Sequence, residues 1–463
     1  MPNQPNVIVF FTDQQRWDTT GVHGNPMGLT PNFDRMAKEG THAYNAFTCQ
    51  PVCAPARSSL QTGMYATNTG VFMNGKPMKA GLTTLAHCFR AGGYDTAYIG
   101  KWHLATECQG PVPVEQRCGY DYWLASNTLE FTSNAYYTVL FDNANQAVRL
   151  PGYRVDAVTD AAIRYVDHRD NNPFFLFISY IEPHFQNHND DFPPPAGYRE
   201  RYTSGWIPPD LQALGGSTHQ HIAGYYGMCK RLDEALGRLL DCLISLDLYD
   251  ETIVLFTSDH GCHFKTRNNE YKRSCHESSI RVPTAVIGPG FTGGGEIREF
   301  VSLIDLPPTL LAAAGLDVPG QMQGRAIEPL IRGENEGWPA EVFVQISEAQ
   351  VGRCIRTERW KYSVAAPDKN PVQDPGSDRY VEEFLYDLQS DPYELCNLIN
   401  SKAHAELCGR MRQRLVDRMV AAGETAPEIM AAERTLEQAR HVDLNADKPF
   451  GAYTEYPGAV TGE

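Results

Sequence analysis

The sequence has no excess of basic residues: 40 Lys and Arg stand against 56 Asp and Glu, a formal charge of −16. That balance works against non-specific attraction to nucleic acid or to an acidic membrane surface, so neither is expected as a partner and an anionic substrate must be caught locally. No apolar run approaches the length of a membrane span. The amino terminus "MPNQPNVIVFF" has no basic stretch, and its apolar run ends at Asp13, which makes cytoplasmic residence the expectation. Twelve cysteines are scattered without repeated Cys-x-x-Cys pairs. That spacing argues against a disulfide scaffold and against a zinc module, and most are expected as buried thiols. Internal repeats, low-complexity tracts and long charge runs are absent as well.

What is present is an ordinary globular composition, 42% hydrophobic and 21% charged over 463 residues, ample for a large core. One Pro- and Gly-rich stretch, "DDFPPPAGYRERYTSGWIPPD" at 190–210, is expected as a long surface loop.

Apolar runs of strand length recur, each ending in polar residues. "NVIVFFTDQQ" stops at Asp13 and Gln14, and "ETIVLFTSDHG" stops at Asp259 and His260. "DTAYIGKWHL" delivers Lys101 and His103, and "PFFLFISYIEPHFQNH" delivers Glu182, His184 and His188. Continuous runs of this kind are what strands buried on both faces of a parallel sheet look like. Helical segments separate them: "TPNFDRMAKEG", with Thr30 as a cap, Pro31 at the first position and Gly40 as a stop, and "TTLAHCFRAGG", built the same way. The alternation implies an α/β fold with a large, mostly parallel sheet sandwiched by helices.

In such a sheet, ligands bind beyond the carboxyl ends of the strands, where Asp13, Gln14, Lys101, His103, His184, Asp259 and His260 would converge. Any one of them is more often a loop cap or a satisfied histidine; the recurrence points to a site. Oxygen ligands with one imidazole suit a hard divalent cation such as calcium, magnesium or manganese, and do not suit structural zinc.

"CQPVCAPARSSLQTG" at 49–63 places Cys53 at the start of an expected helix, with Pro55 near its beginning and Gly63 past its end. A side chain there sits at the positive end of the helix dipole, and Arg57 adds a fixed positive charge one turn on. Position alone leaves three readings: an ionised nucleophile, an inert buried thiol, or a Cys49–Cys53 disulfide.

Cys53-Ala54-Pro55-Ala56-Arg57 matches the C-x-P-x-R signature of formylglycine-dependent sulfatases of the alkaline phosphatase superfamily. "FFTDQQRWD", "TPNFDRMAKEG", "SSLQTG", "GYDTAYIGKWHL", "EPH", "TSDHG", "ESSIRVP" and "LYDLQSDPYELCNL" follow that family's order nearly end to end. The chain therefore resembles this family. The resemblance implies an alkaline phosphatase-like catalytic domain at 1–340 and a smaller C-terminal α+β subdomain, with a small antiparallel sheet and helices, at 341–463. It implies hydrolysis of sulfate esters by a formylglycine made from Cys53 by a formylglycine-generating enzyme, with a divalent metal, calcium ahead of magnesium or manganese.

Carried over residue by residue, Asp13, Gln14, Asp259 and His260 match the metal ligands. By the same resemblance Arg57 would stabilise the hydrated nucleophile, Lys101 would contact nucleophile and sulfate, and His103 would accept the diol proton. His184 and Lys272 bind the ester and protonate the leaving alcohol, and Cys49 is a bystander. Many members have Asp-Asp and Asp-Asn where this chain has Asp13-Gln14 and Asp259-His260. That departure keeps open a second reading, a phosphonate monoester or phosphodiester hydrolase, beside a less favoured third, a non-catalytic binding homologue.

Asn187, His188 and Asp190 after His184, and His219 and His221 before the next helix, are candidates for reading the alcohol portion of a substrate, against solvated loop and helix-start residues as the plainer account. Arg353 and Arg356 lie in the segment that alternates like antiparallel strands and are read first as structural ion pairs. The expected substrate is a small O-sulfated carbohydrate, a mono- or oligosaccharide.

Overall fold

The computed structural model describes residues 4–106, 109–169 and 172–435. Ten strands form the main sheet: β1 (Asn6–Thr12), β2 (Thr41–Phe47), β3 (Asp95–Lys101), β4 (Tyr122–Ser126), β5 (Thr138–Phe141), β6 (Ala147–Leu150), β7 (Phe174–Ser179), β8 (Thr252–Ser258), β9 (Ala285–Ile287) and β10 (Gly295–Ser302). Their order is β10-β2-β9-β8-β1-β7-β3-β4-β5-β6. The central run from β8 to β4 is parallel, and the antiparallel pairings fall outside it.

β1 is central because both of its faces are apolar. Val7, Val9 and Phe11 point to one side, where Ala54, Ala56 and Leu60 of the Cys53–Thr62 helix and Phe89 pack. Ile8 and Phe10 point to the other, against Val158 and Ala162 of the Arg154–Asp167 helix and Leu236 and Leu240 of the Thr218–Ser245 helix. Burying both faces is what removes the polar alternation from its sequence. Among the described residues, no helix is long and apolar enough to cross a membrane.

A second sheet follows: β11 (Glu341–Ile346), β12 (Gly352–Thr357), β13 (Trp360–Ala365), β14 (Arg379–Asp387) and β15 (Glu428–Met430), in that order. Its first three pairings are antiparallel and the last is parallel. Cys408, Met411, Leu415 and Met419 of the Ala405–Ala421 helix cover Phe343, Ile355, Tyr362 and Leu385. The expected carboxy-terminal unit at 341–463 runs past the described residues. Arg353 pairs with Glu424 at 2.9 Å and Arg356 with Glu277 at 3.3 Å, so both make structural ion pairs.

Two local expectations are corrected. Thr30 precedes the Pro31–Glu39 helix but does not cap it with its side chain: its hydroxyl accepts from Gly21 N and donates to Asp34 Oδ1. The cap at Thr84 is a full capping box with His87. The stretch at 190–210 is not an open loop, because Phe192 and Tyr202 are buried and a turn of helix forms at Tyr198–Tyr202. Its aromatic residues supply the core contacts that its prolines and glycines hid.

Gly100 closes β3 at φ +113°, and a Cβ there would lie 2.0 Å from the Ser179 carbonyl oxygen of β7. We predict that Gly100→Ala destabilises the protein by roughly 2–4 kcal/mol, the sum of overpacking and left-handed backbone strain. It would appear as a lower denaturation midpoint at unchanged slope.

Candidate active site

The carboxyl ends of the parallel strands converge as the alternation requires. Asp13 N donates to Glu182 O after β7, and Asp259 N after β8 donates to Thr12 O. These backbone bonds hold three strand ends in register. Gln14 then turns at φ +68°, and its backbone N–H and that of His260 both donate to Asp259 Oδ1 at 2.9 and 2.8 Å. Asp259 is thereby fixed with its other oxygen, Oδ2, buried and without a hydrogen-bond partner.

Cys53 opens a ten-residue helix whose preceding residue, Val52, offers no side-chain cap; Asn74 Oδ1 accepts from Ala54 N instead. The remaining N–H groups and the helix dipole favour negative charge at Cys53. Around its Sγ stand Lys272 Nζ at 2.9 Å, His260 Nε2 at 3.4 Å and Asp13 Oδ1 at 3.5 Å. Lys272 Nζ also lies 3.1 Å from His184 Nε2. Arg57 and Lys101 each donate to Asp13 Oδ2 at 2.9 Å. The structure thus brings Cys53, Arg57, Lys101, His184, Lys272, Asp13, Asp259 and His260 into one buried cluster. His103 joins at its margin with its backbone at φ +62° and Nδ1 unpartnered.

The electrostatics follow from burial and charge. Burial alone would raise Asp13, yet Lys101, His184, Arg57 and Lys272 hold it well below the usual carboxylate range. Burial and Asp13 push the Cys53 thiol up, and Lys101, Lys272 and His184 outweigh them, bringing it down to about 7. Cys49, buried without such cations, is pushed up to about 12. Both cysteines are free thiols, which removes the disulfide reading. Burial, then Lys101, drives His103 down to about 3, and burial lowers His260 to about 4. Neutral His260 donates from Nδ1 to Gly261 O, which leaves the Nε2 lone pair aimed at Cys53 and Asp13.

A cation fits these residues. Asp13, Cys53, Asp259 and His260 offer ligand atoms within 4.8 Å of one another. Asp259 Oδ2 and Gln14 Oε1 are buried and accept no hydrogen bond, and the Arg57 guanidinium reaches Asp259 Oδ2 only at 3.6 Å. Burial and the Asp13 charge lift Asp259 to about 7, the signature of two carboxylates sharing a space that a positive ion would relieve. Oxygen donors with one imidazole suit a hard divalent ion.

The loop candidates are placed less directly. Asn187 Oδ1 is buried and accepts no hydrogen bond, and exposed His188 stands edge-on to Phe131 with ring centroids 5.8 Å apart. Asp190 accepts from Lys265 and Tyr271, and His219 is exposed at the helix start. His221 is buried between Phe192 and Tyr271, with Nδ1 3.8 Å from Asp191.

Sequence reasoning missed three residues. Glu130 Oε1 lies 3.1 Å from Lys101 Nζ, with Oε2 buried and unpartnered. It follows β4 in "SNTLEFT", the same strand-then-polar pattern, so a signal existed. Ser179 Oγ accepts from Arg57 at 2.6 Å. Glu348, beyond β11, accepts from Asn74 N and from Arg273 at 2.6 Å each, which joins the second sheet to both the Cys53 helix and the neighbour of Lys272. No local pattern marks it.

Fold and site together define an alkaline phosphatase-like hydrolase. A sulfatase family model matches residues 5–316, and a model described as N-sulphoglucosamine sulphohydrolase, C-terminal, matches 269–421. The chain belongs to the sulfatase family and is a sulfuric ester hydrolase. It is 29% identical to an ulvan-active sulfatase of Formosa agariphila, over 98% of this chain and 88% of that protein. It is 24% identical to an N-acetylglucosamine-6-O-sulfatase of Bacteroides thetaiotaomicron, over 89% and 86%. A structure solved in complex with its substrate D-glucosamine-2-N,6-O-disulfate superposes with a TM-score of 0.76 at 23% identity, covering 92% of this chain and 99% of that one.

Because Asp259 keeps its proton up to about 7 without a cation, a cation must displace that proton below neutrality and meets a free carboxylate above it. We predict that a divalent cation, tested as calcium, raises Tm more at pH 8 than at pH 5.5, with about 2.7 kcal/mol of stabilisation at a hundredfold excess over Kd. Thermal scans with calcium or chelator test this, and Asp259→Asn should reduce both the shift and its pH dependence, leaving the part that the Cys53 thiol contributes. Glu348→Ala, which leaves buried Arg273 short of a carboxylate, should cost roughly 3–5 kcal/mol in urea denaturation.

Proposed function

We propose that the protein hydrolyses O-sulfate esters of carbohydrates with a formylglycine made from Cys53 and a divalent cation, calcium ahead of magnesium or manganese, held by Asp13, Gln14, Asp259 and His260. The observation that carries this reading is Cys53 at a helix start, within 3.5 Å of Lys272, His260 and Asp13. The names of the sulfatase relatives support the carbohydrate class.

When present, the aldehyde hydrate supplies a nucleophilic oxygen and a second oxygen for collapse, and the cation supplies positive charge to a sulfate oxygen. The chain's own residues do the rest. Arg57 and Lys101, both committed to Asp13, keep fixed positive charge beside the nucleophile without reorganising during reaction. Lys272 donates to His184 Nε2, because His184 Nδ1 is taken up by Phe185 O at 2.7 Å. This pair holds the proton for the leaving alcohol. His103, neutral and with Nδ1 free, is placed to accept a proton on the Lys101 side. A formylglycine-generating enzyme is the implied maturation partner.

The Gln14 and His260 substitutions at the metal pairs favour testing phosphonate esters beside sulfates. We predict that protein matured at Cys53, verified by peptide mass, releases sulfate from a panel of sulfated mono- and oligosaccharides faster than it hydrolyses an aryl phosphonate. Cys53→Ala should abolish release; retained activity would overturn the reading. His184→Ala should cost 10²–10⁴-fold on sugar sulfates. The loss should be much smaller on 4-nitrophenyl sulfate, whose leaving group needs no proton, and equal losses on both would remove His184 from the acid pair.

A further inference from the structure

An open groove of about 630 Å³ lies beside the site, lined by Tyr136, Tyr137, Arg149, Gln186, His188 and Pro193 among others. No acidic side chain lines it, although the chain carries a formal charge of −16. Tyr136 and Tyr137 are 54% and 44% exposed, large rings left in water on a protein that buries most of its aromatic residues. Arg149 is exposed, stands 4.6 Å from the centroid of the Tyr137 ring, and has no carboxylate partner among the described residues. An unpaired guanidinium stacked on an exposed ring presents its fork to an anion while the ring presents a flat apolar surface.

Two residues of the groove link it to the catalytic cluster. Gln186, two residues after His184, donates to Glu130 O at 2.7 Å, and Glu130 Oε1 lies 3.1 Å from Lys101 Nζ. His188 meets Phe131, the residue after Glu130.

We propose that this groove binds the sugar residue adjoining the one that loses its sulfate, and that this neighbour bears a carboxylate or sulfate group. The proposal rests on the carbohydrate sulfatase reading given above. The pyranose stacks its C–H face on Tyr136 and Tyr137, and Arg149 receives the anion bidentately. The occupant is an oligosaccharide, because the anion and the ring surface must be met by a residue other than the one held at Cys53.

The test uses the full, matured chain with Tyr137→Ala, Arg149→Ala and Arg149→Lys. Substrates are 4-nitrophenyl sulfate, tetrasaccharides of chondroitin sulfate, which carry uronates, and tetrasaccharides of carrageenan, whose only anions are sulfates. Both alanine variants should lower kcat/KM on a tetrasaccharide about tenfold, chiefly through KM, with 4-nitrophenyl sulfate unchanged. Arg149→Lys should recover part of the loss. The tetrasaccharide set that suffers identifies the anion. Equal losses on aryl and sugar substrates, or no loss on any, would overturn the proposal.

Calorimetric binding of the same tetrasaccharides to a Cys53→Ala chain, with and without Tyr137→Ala, reads the groove independently of turnover. Binding that weakens about tenfold in a protein whose matured parent releases no sulfate would keep the groove and sink the sulfatase reading. Binding of neither tetrasaccharide would overturn the groove.

Discussion

Everything in this site depends on one buried carboxylate, Asp13. It has no exposure, and an ionised group in that position survives only if opposite charge surrounds it. Arg57 and Lys101 both reach Oδ2, from a helix and a strand end that are distant in sequence, while Oδ1 faces Cys53 and His260. The demand to neutralise Asp13 thus draws the Cys53 helix, β3 and β8 to one point. Asp259 shows the converse: its second oxygen accepts no hydrogen bond and meets Arg57 only at 3.6 Å, and burial with the Asp13 charge raises it to about 7. The cluster is balanced for one more positive charge, which is why the fit of a divalent ion follows from its electrostatics as well as from its donor atoms.

Such a cluster needs rigid support, because a buried charge that drifts from its partner loses several kcal/mol. The parallel centre of the sheet gives the first support through backbone bonds between strand ends. The second sheet gives another. Glu348 ties Asn74 and Arg273, and so steadies the Cys53 helix from one side and the Lys272 segment from the other. Lys361, also in the second sheet, is clasped between Glu277 and Glu394 at 2.8 and 2.5 Å. The two sheets are therefore joined by buried ion pairs, whose directionality fixes orientation more sharply than apolar packing does.

Much of this was legible in the chain. The runs ending at Asp13, Lys101, His184 and Asp259 announced strands buried on both faces, and β1, β3, β7 and β8 are indeed neighbours in the parallel centre. The helix beginning at Cys53 and stopping at Gly63 was readable from its Pro and Gly. Thr30 misled, since a hydroxyl at a helix start can bond elsewhere. The stretch at 190–210 misled because Pro and Gly density conceals which aromatic residue finds a core. Glu130 repeats the strand-then-polar pattern and was passed over only because β4 is short and less apolar than its neighbours. Glu348 was not legible by any local rule.

The sequence by itself determined the α/β alternation, the strand ends that carry polar groups and the position of Cys53 at a helix start, because those depend on patterns within a dozen residues. Only the tertiary structure decided that Glu348 braces the Cys53 helix, that His221 packs between two rings, and that Arg149 stacks on an exposed Tyr137. Those outcomes depend on which surfaces are buried by partners far away in the chain, and burial sets both the charge state and the availability of a side chain. Local pattern therefore names the actors, and long-range burial assigns them to the core, the site or the solvent.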